Sequence, residues 1–224
     1  NLKPSAAMSL MKKDMGGAAN VLGLAQMIMA LQLPLRLRVL IPAVENAVSG
    51  QSFRPQDILI SRKGLTVEIN NTDAEGRLIL ADALALGDED SPDLMISMAT
   101  LTASARVALG PDLVPFYSDS DALAQALLRS GTRVADPVWR MPFWDPYEIM
   151  IEPDIADLDN APSGGFAGSI TAALFLRRFV KQAAAYVHFD IYSWQPKAAP
   201  GRSQGGVGQG ARAVLDALPD ILKL

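Results

Sequence analysis

Short apolar runs, several of them rich in β-branched residues, alternate along this chain with longer stretches of helical spacing, and no other feature limits the possible folds as much. Residues 65–70, 94–98, 113–117 and 185–191 read as strands, and residues 37–42 as a further short buried one. Residues 18–33 read as a helix stopped by Pro34, residues 77–86 as a second, and residues 103–109 as a third closed by Gly110. Asp119 stands at an N-cap position and opens a helix over residues 120–128. Residues 168–182 carry Leu174, Phe175, Phe179 and Val180 at helical spacing, with Arg177, Arg178 and Lys181 near the C-terminal end, where they suit the helix dipole. A last helical segment begins over residues 211–218. This order predicts an α/β fold, a parallel or mixed sheet with helices on both faces. Residues 45–57 read as loop. Residues 136–165 hold Trp139, Phe143, Trp144 and five prolines, and predict an irregular excursion that either lines a site or subunit contact or seals the edge of the core.

Composition narrows the function classes. With 224 residues, half of them apolar, the chain can bury a sizeable core as one domain or as part of a larger one. A formal charge of −4 with no basic cluster gives no footprint for nucleic acid. The absence of cysteine rules out disulfides and thiolate metal sites and fits a reducing cytoplasm. Residues 15–35 lack any charge and match the length of a membrane span. Asn20, Gln26, Gln32, the Gly16-Gly17 pair and Pro34 argue instead for a helix buried between protein layers, with no membrane partner. The chain starts at Asn1 with no signal-peptide pattern, so it is expected to begin inside a longer, cytoplasmic protein.

The stretch Asn71-Thr72-Asp73-Ala74-Glu75-Gly76-Arg77-Leu78 sets two carboxylates and a guanidinium at alternate positions between a strand and a helix. If the chain stays extended there, Asp73 and Glu75 point to one side and can grip a cation. Thr72-x-x-Glu75 before an apolar run is equally a capping box that satisfies amides at the helix start. The only histidine, His188, lies in an apolar strand-like run and reads as a satisfied core or strand-end residue, so one subunit cannot build a zinc site from several histidines. The glycines of residues 205–210 have the wrong spacing and context for a dinucleotide fingerprint.

This octapeptide, followed by Ile79-Leu80-Ala81-Asp82-Ala83-Leu84, resembles the signature of the leucyl aminopeptidase family, the two-metal exopeptidases also called cytosol aminopeptidases. Lys12-Lys13-Asp14-Met15-Gly16-Gly17-Ala18-Ala19 and Lys3-Pro4-Ser5-Ala6 with Met8 are similar to two further family blocks, in the family's order. Weaker likenesses, such as His188-Phe189-Asp190-Ile191, extend the resemblance over residues 1–224 as a single catalytic peptidase domain, expected to be incomplete, with a central mixed, largely parallel sheet. The resemblance implies that Asp14, Asp73 and Glu75 help to hold two divalent ions, manganese or zinc with magnesium possible. It further implies that Lys3 stabilises the oxyanion and that Arg77 holds a bicarbonate ion as proton shuttle. Thr100 and Leu101 would contact substrate through their backbone, and Met11 would wall the pocket for the first side chain.

Taken alone, Lys3 is a solvated lysine near a chain end, Asp14 an acid that favours a helix N-terminus, and Arg77 a surface helix residue. The family's glycine-rich segment with a further Lys and Asp ligand is expected just upstream of Lys3. Tyr192-Ser193-Trp194 and Ala103 depart from the family's small residues and would reshape the pocket. The implied function is release of N-terminal residues, leucine-like by preference, from peptides by a homo-oligomer, hexameric in the family. Two alternatives stand beside it. One is a non-catalytic assembly or binding subunit. The other is a different two-metal hydrolase such as a phosphatase, for which Lys3, Lys12, Lys13 and Arg77 supply few basic groups.

Overall fold

The computed structural model describes residues 3, 5–46 and 52–224, so Pro4 of the first family-like block and residues 47–51 of the expected loop lie outside the described residues. The helices are α1 (Ser5–Met8), α2 (Gly16–Ala30), α3 (Glu75–Asp88), α4 (Ala103–Leu109), α5 (Asp121–Arg133), α6 (Gly168–Arg177) and α7 (Ala211–Leu222). The strands are β1 (Ile58–Ile60), β2 (Thr66–Glu68), β3 (Met95–Ala99), β4 (Val114–Tyr117), β5 (Val138–Met141), β6 (Leu158–Asp159), β7 (Tyr186–Asp190), β8 (Trp194–Gln195) and β9 (Gly205–Gly206).

Four strands form the main sheet in the order β3-β7-β4-β5, with β3 and β7 parallel, β4 and β5 parallel, and β7 antiparallel to β4. A smaller sheet runs β1-β2-β6, antiparallel then parallel, and β8 pairs with β9. Side chains alternate faces along a strand. Val187 and Phe189 of β7 therefore enter one core with Leu24 and Ile28 of α2, Leu127 of α5 and Val214 of α7. Tyr186 turns to the other core, which Leu84 of α3, Phe175 of α6, Val67 of β2 and Leu158 of β6 fill. The sheet is thus mixed and covered by helices on both faces, as the alternation predicts.

Several boundaries differ from expectation. Residues 37–42 form no ladder: Leu37 and Ile41 are exposed, and no described strand runs beside them to satisfy their backbone groups. Helix α2 stops at Ala30, before Pro34, and α6 stops at Arg177. Only one face of α2 is buried, since Leu22 and Met29 are exposed, so it is not a helix between two layers among the described residues. The cap of α5 is Ser120, whose hydroxyl accepts from Leu123 N, while Asp119 pairs with Arg177. Residues 136–165 are more regular than expected, containing β5, a 3-10 helix (Asp145–Ile151) and β6. Their Trp139 and Trp144 are exposed and seal no core, whereas Phe143 packs on Tyr117 and under Arg177. Among the described residues no helix is long and apolar enough to cross a membrane.

Candidate active site

The acidic turn is built from its asparagine. Asn71 is extended, and its Oδ1 accepts from Asp73 N at 2.8 Å, which folds Thr72–Ala74 into a 3-10 turn before Glu75 begins α3. Neither sequence-level geometry is realised. The chain does not stay extended through Asp73 and Glu75, and the side-chain cap is Asn71 rather than Thr72. Asp73 comes from the turn and Glu75 from the first residue of the helix.

Asp14 ends the 3-10 turn Met11–Lys13, immediately before α2. The start of α2 lies against the end of β3 so closely that a Cβ on Gly17 would meet Met98 O at 2.1 Å. This approach brings Asp14 Oδ1 to the hydroxyl of Thr100, which donates to it at 2.6 Å. Lys3 forms an ion pair with Asp73 across 70 residues of chain.

All eight residues singled out in the sequence, Lys3, Met11, Asp14, Asp73, Glu75, Arg77, Thr100 and Leu101, line one open cavity of about 1680 Å³. Burial raises the Glu75 carboxyl above the usual carboxylate range, and the charges of Asp73 and Asp14 push it the same way, opposed by a hydrogen bond from its own backbone N–H and by Lys3. Its Oε2 is buried with no hydrogen-bond partner. A buried carboxylate oxygen left unpaired among like charges is the environment that a cation relieves. The acids fit part of a metal donor set. They do not enclose an ion, because no three acidic or histidine side chains converge closely enough among the described residues.

Arg77 is only 9% exposed, in contrast to the surface helix residue that its position alone suggests. Burial lowers its pKa to about 10, against the attraction of Asp190 and Asp159, so the guanidinium stays charged at neutral pH. Its Nε lacks a partner. A charged fork with a free N–H on a cavity wall is suited to an anion.

Other groups were not singled out by spacing. Asp190, on β7, is buried and accepts from Thr102 N at 2.9 Å, from the Thr102 hydroxyl and from Ser169 Oγ at 2.8 Å, while Ser169 Oγ accepts from the Tyr117 hydroxyl at 2.6 Å. Burial raises its pKa. This network anchors the residue next to Leu101. Tyr192, one of the departures from the family's small residues, is flanked by Lys13 at 5.4 Å and Arg106 at 4.7 Å from its ring centroid, and all three line the cavity. Burial lowers the Lys13 pKa. Nothing local in the sequence marks Arg106, because its place at the rim depends on where Tyr192 falls. His188 is fully buried in the core side of β7, as its apolar setting predicts, and does not line the cavity. The glycine-rich tail carries β9, and Gln209 beyond it accepts from Tyr192 N and Ser193 N through Oε1, a structural clasp with no phosphate loop.

The description "Cytosol aminopeptidase family, catalytic domain" belongs to a family model that matches residues 1–215. A probable cytosol aminopeptidase of Chloroherpeton thalassium is 44% identical over 221 residues, covering 96% of this chain and 43% of that protein. The solved cytosol aminopeptidase of Coxiella burnetii is 50% identical with a TM-score of 0.93, covering 97% of this chain and 48% of that one. The bottromycin maturation enzyme BotP, solved in complex with Mn, is 34% identical with a TM-score of 0.92, covering 98% and 50%. The chain spans about half the length of these relatives. Sequence and fold agree over nearly all of its residues, and the chain belongs to the cytosol aminopeptidase family.

Proposed function

We propose that this chain is a catalytic domain of a metal-dependent aminopeptidase that releases N-terminal residues, leucine-like by preference, from peptides. The observation that carries this reading is the convergence of Lys3, Asp14, Asp73, Glu75 and Arg77 on one cavity, with one Glu75 oxygen buried and unpaired. Asp14, Asp73 and Glu75 would hold part of a pair of divalent ions, manganese or zinc, in keeping with a relative solved with Mn. Such a pair, when bound, supplies an activated water and polarises the peptide carbonyl.

The remaining work falls to the chain's own groups. Asp14, fixed by the Thr100 hydroxyl, would help to hold the ion that takes the substrate's free amine, which restricts the enzyme to chain ends. Lys3 holds its ammonium in the same cavity, where it stabilises the negative oxygen of the tetrahedral species. Arg77 would hold a bicarbonate ion, which would supply a proton shuttle there, since this chain's own His188 is buried away from the cavity. The backbone of Thr100 and Leu101 aligns the substrate, and Met11 bounds the first side chain. A hexameric homo-oligomer in the cytoplasm completes the reading.

The test is hydrolysis of leucyl-amide by the metal-stripped full-length polypeptide after Mn²⁺ is restored, beside Asp73→Ala and Glu75→Ala. Turnover that requires Mn²⁺ and drops by about 100-fold or more in both variants is the expected result. An inactive but folded wild type would instead favour the non-catalytic subunit, and turnover of a phosphate ester the other hydrolase.

A further inference from the structure

The ladder between β2 and β6 ends where Asn160 N donates to Glu68 O at 3.0 Å. Past that rung the Asn160 side chain, 0% exposed, takes over the role of a strand. Its Oδ1 accepts from Asn70 N at 2.8 Å and from Asn71 N at 3.1 Å, and its Nδ2 donates to Asn71 O at 2.7 Å. Three backbone groups of two successive residues are thus met by a single planar carboxamide. Asp159 adds a fourth bond, accepting from Asn70 Nδ2 at 2.9 Å, and is itself held by Ala161 N at 2.7 Å. Asn71, fixed in this way, caps the turn by accepting from Asp73 N. An unbroken series of hydrogen bonds therefore runs from Asn160 through Asn71 to Asp73, two residues before Glu75.

Only a carboxamide offers a donor and an acceptor in this arrangement. A carboxylate would set an oxygen against Asn71 O, and an aliphatic side chain would leave three backbone groups unpaired. We propose that Asn160 is a positioning residue whose carboxamide fixes the turn that aims Asp73 and Glu75 into the cavity, and so sets the protein's affinity for divalent cations. This rests on the proposed role of Asp73 and Glu75 as metal ligands. Groups behind ligands commonly govern metal affinity in this way, by about 10–100-fold.

The competing account is that Asn160 merely ties β6 to β2. The same strand pair contains a control: Asp157, at its other end, accepts from Thr66 N at 2.8 Å and from Thr66 Oγ1 at 2.7 Å, and does not line the cavity.

The experiment measures Mn²⁺ affinity by titration, followed through the loss of the free-ion paramagnetic signal, together with the metal-free thermal midpoint. It compares the full-length wild type with Asn160→Leu, Asn71→Ala and Asp157→Ala. Asn160→Leu and Asn71→Ala are expected to weaken Mn²⁺ binding about 10–100-fold, while Asp157→Ala lowers the midpoint and leaves affinity within about twofold of wild type. Asn71 is exposed, so its variant retains the fold even if Asn160→Leu does not. Wild-type affinity in both asparagine variants, or an equal loss in Asp157→Ala, overturns the positioning role alone. A wild type that binds no Mn²⁺ overturns the ligand roles and this proposal together.

Discussion

His188 shows how far a single residue can be read without its neighbours. Its apolar setting predicts a core histidine, and the structure buries it completely, with Nδ1 2.8 Å from Ser97 Oγ, Nε2 unpaired and the ring stacked 6.2 Å from Tyr117. Burial drives its pKa down to about 3. It is the only histidine, so the expected outcome is one imidazole Hε1 signal in the nuclear magnetic resonance spectrum that does not titrate between about pH 8 and pH 4.5. The sign for stability follows. In the unfolded chain the ring protonates near pH 6.5, whereas the folded chain resists, so stability is complete above about pH 6.5 and falls as the pH drops toward 3. The loss approaches about 1.4 kcal/mol per pH unit for this group. Guanidinium midpoints at pH 7 and pH 5 should differ more for wild type than for His188→Asn. Arg77 was legible only by resemblance. Its buried charge is favoured by Asp190 and Asp159, which come from 113 and 82 residues later and leave no mark on the local pattern.

Among the elements, α2 carries a consequence that two of its three glycines make testable. A Cβ on Gly17 would stand 2.1 Å from Met98 O and 2.8 Å from Ala99 Cα, so Gly17→Ala must push the helix off β3. The expected cost is about 1–3 kcal/mol, with loss of turnover as Asp14 moves away from Thr100. Gly23, in the same helix, has nothing within 4 Å of its added Cβ, and Gly23→Ala should stabilise by about 0.5–1 kcal/mol. Thermal midpoints of the two variants should move in opposite directions. The glycine pair and the apolar run made α2 legible, and β3, β4 and β7 were legible because each is a short apolar run with clear ends. What escaped depends on partners far along the chain. Residues 37–42 have the composition of a strand but no described neighbour to pair with. The choice of Ser120 over Asp119 as cap follows from Arg177 taking the aspartate. The turn at Asn71 needed Asn160, whose distance in sequence hides it from any spacing rule.

For the whole molecule, the cavity sets function against stability. The folded state raises the Glu75 pKa, chiefly by burial and then through Asp73 and Asp14, so the ionised carboxylate is less welcome there than in the unfolded chain. The resulting penalty is absent below the unfolded pKa of about 4.3 and complete above the folded one. Glu75→Gln removes it. The metal-free variant should therefore unfold at a higher temperature than wild type at pH 7–8, by a few degrees, and the gap should close as the pH falls through the carboxylate range. Added Mn²⁺ reverses the order. A ligand at 100 times its Kd stabilises the folded state by about 2.7 kcal/mol, which for a chain of this size is about 5–10 °C. Wild type, with all three carboxylates, gains that increment, and Glu75→Gln gains little. Thermal scans with and without Mn²⁺ should cross. Parallel shifts in both proteins would show that Glu75 takes no part in holding the ion, and a metal-free variant no more stable than wild type would show that its buried charge is already compensated within the fold.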